Sequence, residues 1–416
     1  MKRVIILLMV AVIILTACSI SDQGGPVAEE NPEPETTEPE APEEESTEPE
    51  TDESETPTID PIEQLISEMD LRQRIGQLFL IRPDGLDVTL SRDELEDPEL
   101  PGVTQLHADL ITALERYPVG GFVLFDKNLV DPEQLRVLMA QLDQVSSIAP
   151  LYAIDEEGGL VSRLANHPNF AVTSFPNMAQ IGQTGDPDQA YQAGLTIGNY
   201  LKDHGFHIDF APVADVNSNP DNPVIGPRSF SPDPVVVAEM VRAAVIGFQE
   251  AGIISSLKHF PGHGDTAADS HFETAISYKN WSELLMLEMI PFQAGIDAGA
   301  EMVMMGHIVT PEVSHDGLPA SLSPEMYRLL KQELGFDGIV LTDSLAMQAI
   351  SDHFSPADAA VMTFQAGADF LLMPANLAEA FDAIEQAVND GTINEAELDQ
   401  RVRRILELKM KAGLLE

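Results

Sequence analysis

The chain has 416 residues, of which 44% are hydrophobic, so it is long enough to bury a sizeable core in one large domain or two medium ones. Its formal net charge of -47 argues against nucleic-acid binding, which needs basic surfaces. A single cysteine excludes an internal disulfide bond.

The amino terminus has the pattern of a secretory signal. Lys2 and Arg3 precede a short apolar run, and small residues then lead to Cys18. This ending resembles the lipobox of bacterial lipoproteins, in which the cysteine is lipidated and becomes the new amino terminus. We expect a signal peptide over residues 1–17 and a lipid anchor on Cys18. An uncleaved membrane anchor and a plain signal peptide are the alternatives, although the apolar run is short for a membrane span.

Residues 18–58 have the composition of a linker. From Ser19 to Thr58 the chain is rich in Glu, Pro, Thr and Ser and contains no Lys, Arg or aromatic residue. Such a segment buries too little apolar surface to offset the entropy of ordering, so we expect it to be disordered. Prolines and like charges keep it extended, and it would hold the folded region away from a membrane.

From residue 59 onward, short apolar runs alternate with helical patterns. We predict strands at 77–81, 121–125, 151–154, 208–212, 254–258, 302–306, 338–342 and 369–373. We predict helices at 61–74, 131–145, 188–203, 234–250, 281–298, 324–334, 356–366, 377–389 and 395–411. This alternation favours an α/β fold, a (β/α)8 TIM-type barrel spanning residues 59–416 as a single domain. A doubly wound sheet is the competing fold, but no Gly-x-Gly-x-x-Gly turn follows the first strand.

Pairs of residues predict where several helices begin. Asp131-Pro132, Ser323-Pro324 and Ser355-Pro356 each look like a capping residue followed by proline at the first helical position. Gly252, Gly299 and Gly335 stand where a left-handed residue would end a helix.

Polar side chains follow the predicted strands at their carboxyl ends, where barrel enzymes carry their active sites. Asp343 is the most informative, because it follows an apolar run and should face the mouth of the barrel; the alternative is that it caps the next helix. The others follow strands three to six: Asp155, Arg163, Asp215, Arg228, Lys258, His259 and His307.

The stretch KHFPGHGDTAADSH, residues 258–271, holds three histidines, a lysine and two aspartates in fourteen residues. Its glycines and proline predict a loop after the fifth strand. Asp269 and His271 are two residues apart and share a face of an extended segment, so the carboxylate can orient the imidazole as a general acid/base. Asp265 is an alternative partner. A metal site on His259, His263 and His271, or a purely structural loop, are the other interpretations.

KHFPGHG followed by DSH, with GFDGIVLTDSLAM downstream, resembles glycoside hydrolase family 3, in the branch of the bacterial β-N-acetylglucosaminidases. The resemblance covers residues 60 to 416. It implies a (β/α)8 catalytic barrel and a retaining mechanism, with Asp343 as nucleophile and His271 as acid/base, held by Asp269. It implies no metal or organic cofactor.

The same resemblance implies that five residues bind the sugar at the non-reducing end: Asp155, Arg163, Arg228, Lys258 and His259. Three positions depart from the family's usual pattern. Glu156 stands where glutamine is usual, Pro227 where aspartate is usual, and Thr342 where serine is usual.

Taken together, these features predict an extracytoplasmic, membrane-anchored, monomeric exo-β-N-acetylglucosaminidase. It would remove terminal GlcNAc from cell-wall muropeptides or chitooligosaccharides. A phosphorylase is the nearest alternative, because a histidine acid/base does not repel phosphate as a carboxylate would. A β-glucosidase and a glycan-binding lipoprotein without turnover are the others.

Overall fold

The structure, a computed structural model, describes residues 60–270 and 274–415 of the chain. The predicted signal peptide, Cys18, the linker up to residue 59 and His271 therefore lie outside the described residues. Eight short strands, β1 to β8, form one sheet and are buried along almost their whole length. They are β1 Phe79–Ile81, β2 Gly121–Val123, β3 Leu151–Ile154, β4 Ile208–Asp209, β5 Ile254–Phe260, β6 Met302–Met305, β7 Ile339–Thr342 and β8 Leu371–Leu372.

From β1 to β7 each strand pairs in parallel with its neighbour along the chain, and β1 also pairs with β8, through Leu80 and Leu372. A parallel bridge between Leu341 and Phe370, beside β7 and β8, joins the two ends of the sheet. The eight strands therefore form a barrel, and the predicted (β/α)8 fold is confirmed.

Helices surround the sheet and connect most of its strands. They are α1 Pro61–Glu68, α2 Leu71–Gln77, α3 Arg92–Glu96, α4 Ala108–Arg116, α5 Pro132–Val145, α6 Met178–Gly182, α7 Pro187–Asp203, α8 Pro234–Ala251, α9 Trp281–Met286, α10 Met289–Asp297, α11 Pro324–Arg328, α12 Gln348–Ser351, α13 Pro356–Ala366, α14 Leu377–Asn389 and α15 Glu395–Lys411. In the part of the chain that the structure describes, no helix combines the length and hydropathy needed to cross a membrane.

Most of the predicted helix boundaries agree with the structure. Asp131 and Ser355 cap α5 and α13 through side-chain hydrogen bonds, and Gly252 ends α8 in the left-handed conformation. Ser323 precedes α11, but its side chain makes no capping bond. The predicted start of α11 at Ser323-Pro324 is therefore confirmed, but the Ser323 hydroxyl donates to Asp316 at 2.7 Å and does not cap the helix.

Two predicted helices are each divided in two. The pattern over 61–74 is interrupted at Asp70, which caps α2 by a reciprocal bond with Gln73. The pattern over 281–298 is interrupted at Leu287, whose backbone leaves the helical region before α10 begins. In both cases the apolar spacing continues across the break, so periodicity alone does not locate it.

Two small strand pairs lie outside the barrel sheet, and the sequence did not predict either. Glu156–Gly158 and Val161–Ser162 form an antiparallel hairpin directly after β3. Ala275–Ile276 pairs in parallel with Ile308–Val309, which follows β6. Both pairs lie in loops at the carboxyl ends of barrel strands, where they support the side chains described next.

Candidate active site

Four charged side chains meet near the carboxyl ends of β3 and β5. The ammonium of Lys258, in β5, donates to Asp155 at 2.7 Å and lies 2.6 Å from Glu157. Arg228 forms a bidentate pair with the same Glu157, at 2.8 and 2.9 Å. The Lys258 and Glu157 side chains are 2% and 1% exposed, so these are buried charges, each satisfied by an opposite charge.

Burial and pairing set the protonation states in this cluster. Burial alone would raise the pKa of Glu157, but the charges of Arg228 and Lys258 outweigh it and hold that pKa well below its usual range. Burial alone would lower the pKa of Lys258, but Asp155 and Glu157 together raise it. The cluster therefore stays charged at neutral pH and presents fixed hydrogen-bond donors.

Arg163 stands at the rim of the same site. It donates to Asp126 at 2.9 Å and lies 3.8 Å from Asp155, and its guanidinium covers the ring of Phe125. Arg82, at the end of β1, stacks on the same ring. A planar cation packed on an aromatic ring loses little freedom when it binds a ligand, which suits a substrate-binding position.

His259 is oriented by Asp215, which is completely buried in the loop after β4. The Nδ1 atom of His259 lies 2.7 Å from one carboxylate oxygen of Asp215, and the other oxygen accepts from the backbone amide of His263 at 2.7 Å. Burial would raise the pKa of Asp215, but the two histidines lower it. An ionised Asp215 requires the proton of His259 on Nδ1.

Asp343 follows β7 and faces the barrel mouth. Its amide donates to the carbonyl of Met305 at 2.8 Å, and one carboxylate oxygen accepts from the amide of Ser344 at 2.7 Å. The next helix, α12, begins after Met347, so Asp343 does not cap it. His307, at the end of β6, donates from Nε2 to the carbonyl of Ser344 at 2.7 Å and so holds the backbone beside Asp343.

The segment that leads from β5 towards His271 is fixed to the loop after β4. The buried Asn222 donates to the carbonyls of His263 and Thr266 at 2.8 and 3.0 Å. Both ring nitrogens of His263 are hydrogen-bonded, one to Thr266 and one to Ser270, so His263 has none left for a metal ion. His271 lies outside the described residues, and its pairing with Asp269 stays a prediction.

A cavity of about 210 Å³ at the mouth of the barrel brings the predicted residues together. Its lining includes Asp155, Arg163, Arg228, Lys258, His259 and Asp343. A larger cavity, about 570 Å³, lies between the β1 loop and α4 and contains none of them. We assign the chemistry to the smaller cavity, because only there do a carboxylate and the buried charged cluster share one space.

Sequence reasoning missed three residues that shape this site. Glu157 is the common partner of Lys258 and Arg228, while Asp215 and His307 orient groups at the mouth. The sequence placed Asp215 and His307 near strand ends without assigning them a role, and it did not single out Glu157. The signal for Glu157 was available, since a lysine and an arginine expected in one pocket need a buried counter-charge.

The family model of the glycosyl hydrolase family 3 N-terminal domain matches residues 70–408. The chain belongs to this family of glycoside hydrolases. The family predicted from the KHFPGHG and DSH motifs is therefore confirmed.

Named relatives agree with this family. Beta-hexosaminidase A of Pseudoalteromonas piscicida is 36% identical over 339 residues, which are 74% of this chain and 56% of that protein. Beta-hexosaminidase LpqI of Mycobacterium tuberculosis is 33% identical over 340 residues, which are 79% of this chain and 85% of that protein. A solved family 3 β-N-acetylglucosaminidase from Paenibacillus sp. superposes with a TM-score of 0.75 at 37% identity, over 83% of this chain and 63% of that one.

The chain thus spans little more than half the length of the Pseudoalteromonas relative and most of the mycobacterial one. Within residues 60–270 and 274–415 there is no group of three His, Cys, Asp or Glu side chains arranged to hold a metal ion.

Proposed function

We propose that the protein is a retaining exo-β-N-acetylglucosaminidase. The observation that carries the proposal is that Asp343 shares one cavity with the buried Asp155–Glu157–Arg228–Lys258 cluster. A carboxylate beside rigid hydrogen-bond donors is what a glycosidase needs to grip a sugar and attack its anomeric carbon.

In the proposed reaction, the Asp343 carboxylate attacks the anomeric carbon while His271 gives its proton to the departing glycosidic oxygen. The C–O bond to the leaving group breaks and a glycosyl ester with Asp343 forms. His271, now neutral, then takes a proton from water, and the resulting hydroxide releases the sugar and restores the carboxylate. Asp269 would orient His271 and stabilise its protonated form.

The binding residues would hold the terminal sugar by its hydroxyl groups. Lys258, Arg163 and Arg228 donate without losing their charge, and His259 is oriented by Asp215. The preference for GlcNAc is inferred from the names of the relatives, and cell-wall fragments and chitooligosaccharides are the substrates we propose. We also propose that Cys18 carries a lipid that holds the enzyme on the outer face of a membrane. Stable anchoring of this kind takes more than one acyl chain.

One assay series tests the proposal. Aryl β-GlcNAc and aryl β-glucoside are compared, with and without phosphate, for the wild-type protein and for Asp343→Asn. We expect phosphate-independent release from the GlcNAc substrate, with a loss of at least a thousandfold in kcat for Asp343→Asn, because the nucleophile is removed. The same assay on membrane and soluble fractions of expressing cells locates the enzyme, and the activity should sediment with membranes.

Other outcomes would contradict the proposal. A phosphate requirement with formation of sugar 1-phosphate would make the protein a phosphorylase. No release by a folded protein that binds GlcNAc would make it a binding protein. Full activity of Asp343→Asn would exclude Asp343 as the nucleophile, and activity confined to the soluble fraction would argue against the lipid anchor.

A further inference from the structure

Asp265 lies behind the candidate site, in the segment between His263 and Asp269. One oxygen of its carboxylate accepts from the hydroxyl of Ser277 at 2.9 Å and forms an ion pair with the ammonium of Lys279. Its other oxygen is buried and has no hydrogen-bond partner among the described residues. The Asp265 side chain therefore contacts Lys279, and it does not line the cavity that contains Asp343.

Ser277 and Lys279 belong to the scaffold and not to the loop. Their segment directly follows the small parallel pair Ala275–Ile276 with Ile308–Val309, and the amide of Ser277 donates to the carbonyl of Val309 at 3.0 Å. Asp265 is thus tied to backbone that is itself attached to the end of β6.

Glu288 is a second carboxyl group close to Lys279. Its side chain is fully buried, and its carboxyl lies 3.5 Å from the Lys279 ammonium and makes no hydrogen bond among the described residues. Burial raises the pKa of Glu288 to about 8, against the opposing charge of Lys279. Burial thus favours the uncharged form of Glu288, and Asp265 is the carboxylate that lies nearer to the Lys279 ammonium.

We propose that Lys279 is a positioning residue, whose ion pair with Asp265 fixes the His263–Asp269 segment and thereby the approach of the acid/base group to the glycosidic oxygen. This inference rests on the proposed function. Lys279 does not line the cavity that we assign to the sugar, so its effect would be on proton transfer and not on sugar binding.

Leaving groups of different acidity separate these two effects. A good leaving group such as 2,4-dinitrophenolate departs without a proton, whereas a phenolate or a sugar needs the general acid. We expect Lys279→Gln to lower kcat/KM for phenyl β-GlcNAc by about a hundredfold and for the dinitrophenyl substrate by less than about threefold. Asp265→Asn breaks the same pair from the loop side and should give the same pattern.

The controls distinguish positioning from general damage. Lys411→Gln removes an exposed lysine that also forms an ion pair, with Glu301, and it should leave both substrates unaffected. If Lys279→Gln unfolds the protein, Ser277→Ala serves as a second variant, because it removes only the neutral hydrogen bond to Asp265. It should again lower kcat/KM more for the phenyl substrate than for the dinitrophenyl substrate, but by a smaller factor. Equal losses on both substrates, or no loss on either, would overturn the inference. Wild-type inactivity on every GlcNAc substrate would instead refute the proposed function.

Discussion

Glu157 supplies the negative charge that two buried cations share. Its carboxylate contacts Arg228 and Lys258 at 2.8 and 2.6 Å, with 1% of the side chain exposed. We predict that Glu157→Gln lowers the free energy of unfolding by about 3–5 kcal/mol, because it leaves a buried cation without its partner. The KM for aryl β-GlcNAc should also rise, since both cations line the cavity that we propose binds the sugar. Denaturant unfolding and steady-state kinetics measure the two effects.

The chain offers a matched control for this change. Glu325 forms a bidentate pair of the same geometry with Arg328, at 2.8 Å for both bonds, but both side chains are about 40% exposed. Glu325→Gln should change stability by less than about 1 kcal/mol. A loss as large as that of Glu157→Gln would mean that pairing geometry, and not burial, determines the cost.

The depressed pKa of Glu157 determines how the free energy of unfolding changes with pH. The group contributes stability above its unfolded pKa, about 4.3, and loses it as the pH falls through the lower folded value. The stability difference between wild type and Glu157→Gln should therefore be constant at neutral pH and shrink below about pH 4.

At the scale of single residues, the sequence predicted which side chains gather but not how they pair. Asp155, Arg163, Arg228, Lys258, His259 and Asp343 line one cavity, as barrel topology requires of strand ends. The shared role of Glu157 depends on distances between loops that no spacing in the sequence encodes. The ion pair between Asp265 and Lys279 joins positions fourteen apart, and the sequence did not predict it either.

At the scale of elements, the loop after β5 depends on Gly262. This residue has a φ of +116°, and a Cβ atom there would lie 2.6 to 2.7 Å from three side-chain atoms of Glu288. We predict that Gly262→Ala lowers the free energy of unfolding by about 3 kcal/mol and reduces activity, because the loop must shift to relieve both the strain and the overlap. Thermal unfolding and the aryl β-GlcNAc assay measure these effects.

Gly317 is a control that separates backbone strain from the steric overlap with Glu288. Its φ is +73°, and nothing lies within 4 Å of a Cβ built on it. Gly317→Ala should cost about 1–2 kcal/mol from backbone strain alone and leave activity intact. Equal costs at the two positions would show that contact with Glu288 contributes nothing.

All eight predicted barrel strands are present, because buried parallel strands have a strong signal in short apolar runs. The strand pairs in the loops were missed, since two or three residues carry no periodicity to detect. The helix α4 was missed as well: His107 makes no side-chain capping bond and so gives no start signal.

At the scale of the whole molecule, the last helix closes the barrel by packing against the first two. Arg74 in α2 pairs with Glu395 and Asp399 in α15, and Arg403 pairs with Asp60. These ion pairs join positions more than 300 residues apart in the chain. Their formation therefore couples the stability of the two ends of the barrel.

Lys409 is the buried member of this junction, and its ammonium donates to Gln77 of α2 at 2.7 Å. Burial lowers its pKa to about 7 from 10.5. Because the unfolded chain then binds more protons between about pH 7 and 10.5, this group makes stability rise with pH across that window. Below pH 7 the folded protein bears the full cost of a buried charge.

We predict that Lys409→Met removes this dependence. Relative to wild type, the variant should be most stable near pH 6 and should lose that advantage by pH 10, a change on the order of 4 kcal/mol. Urea unfolding of both proteins at matched pH values measures the difference, with Lys411→Met as the control for an exposed lysine in the same helix. A difference that stays constant from pH 6 to 10 would mean that Lys409 remains charged when buried. The single bond to Gln77 would then be enough to hold a full charge inside the junction between α2 and α15.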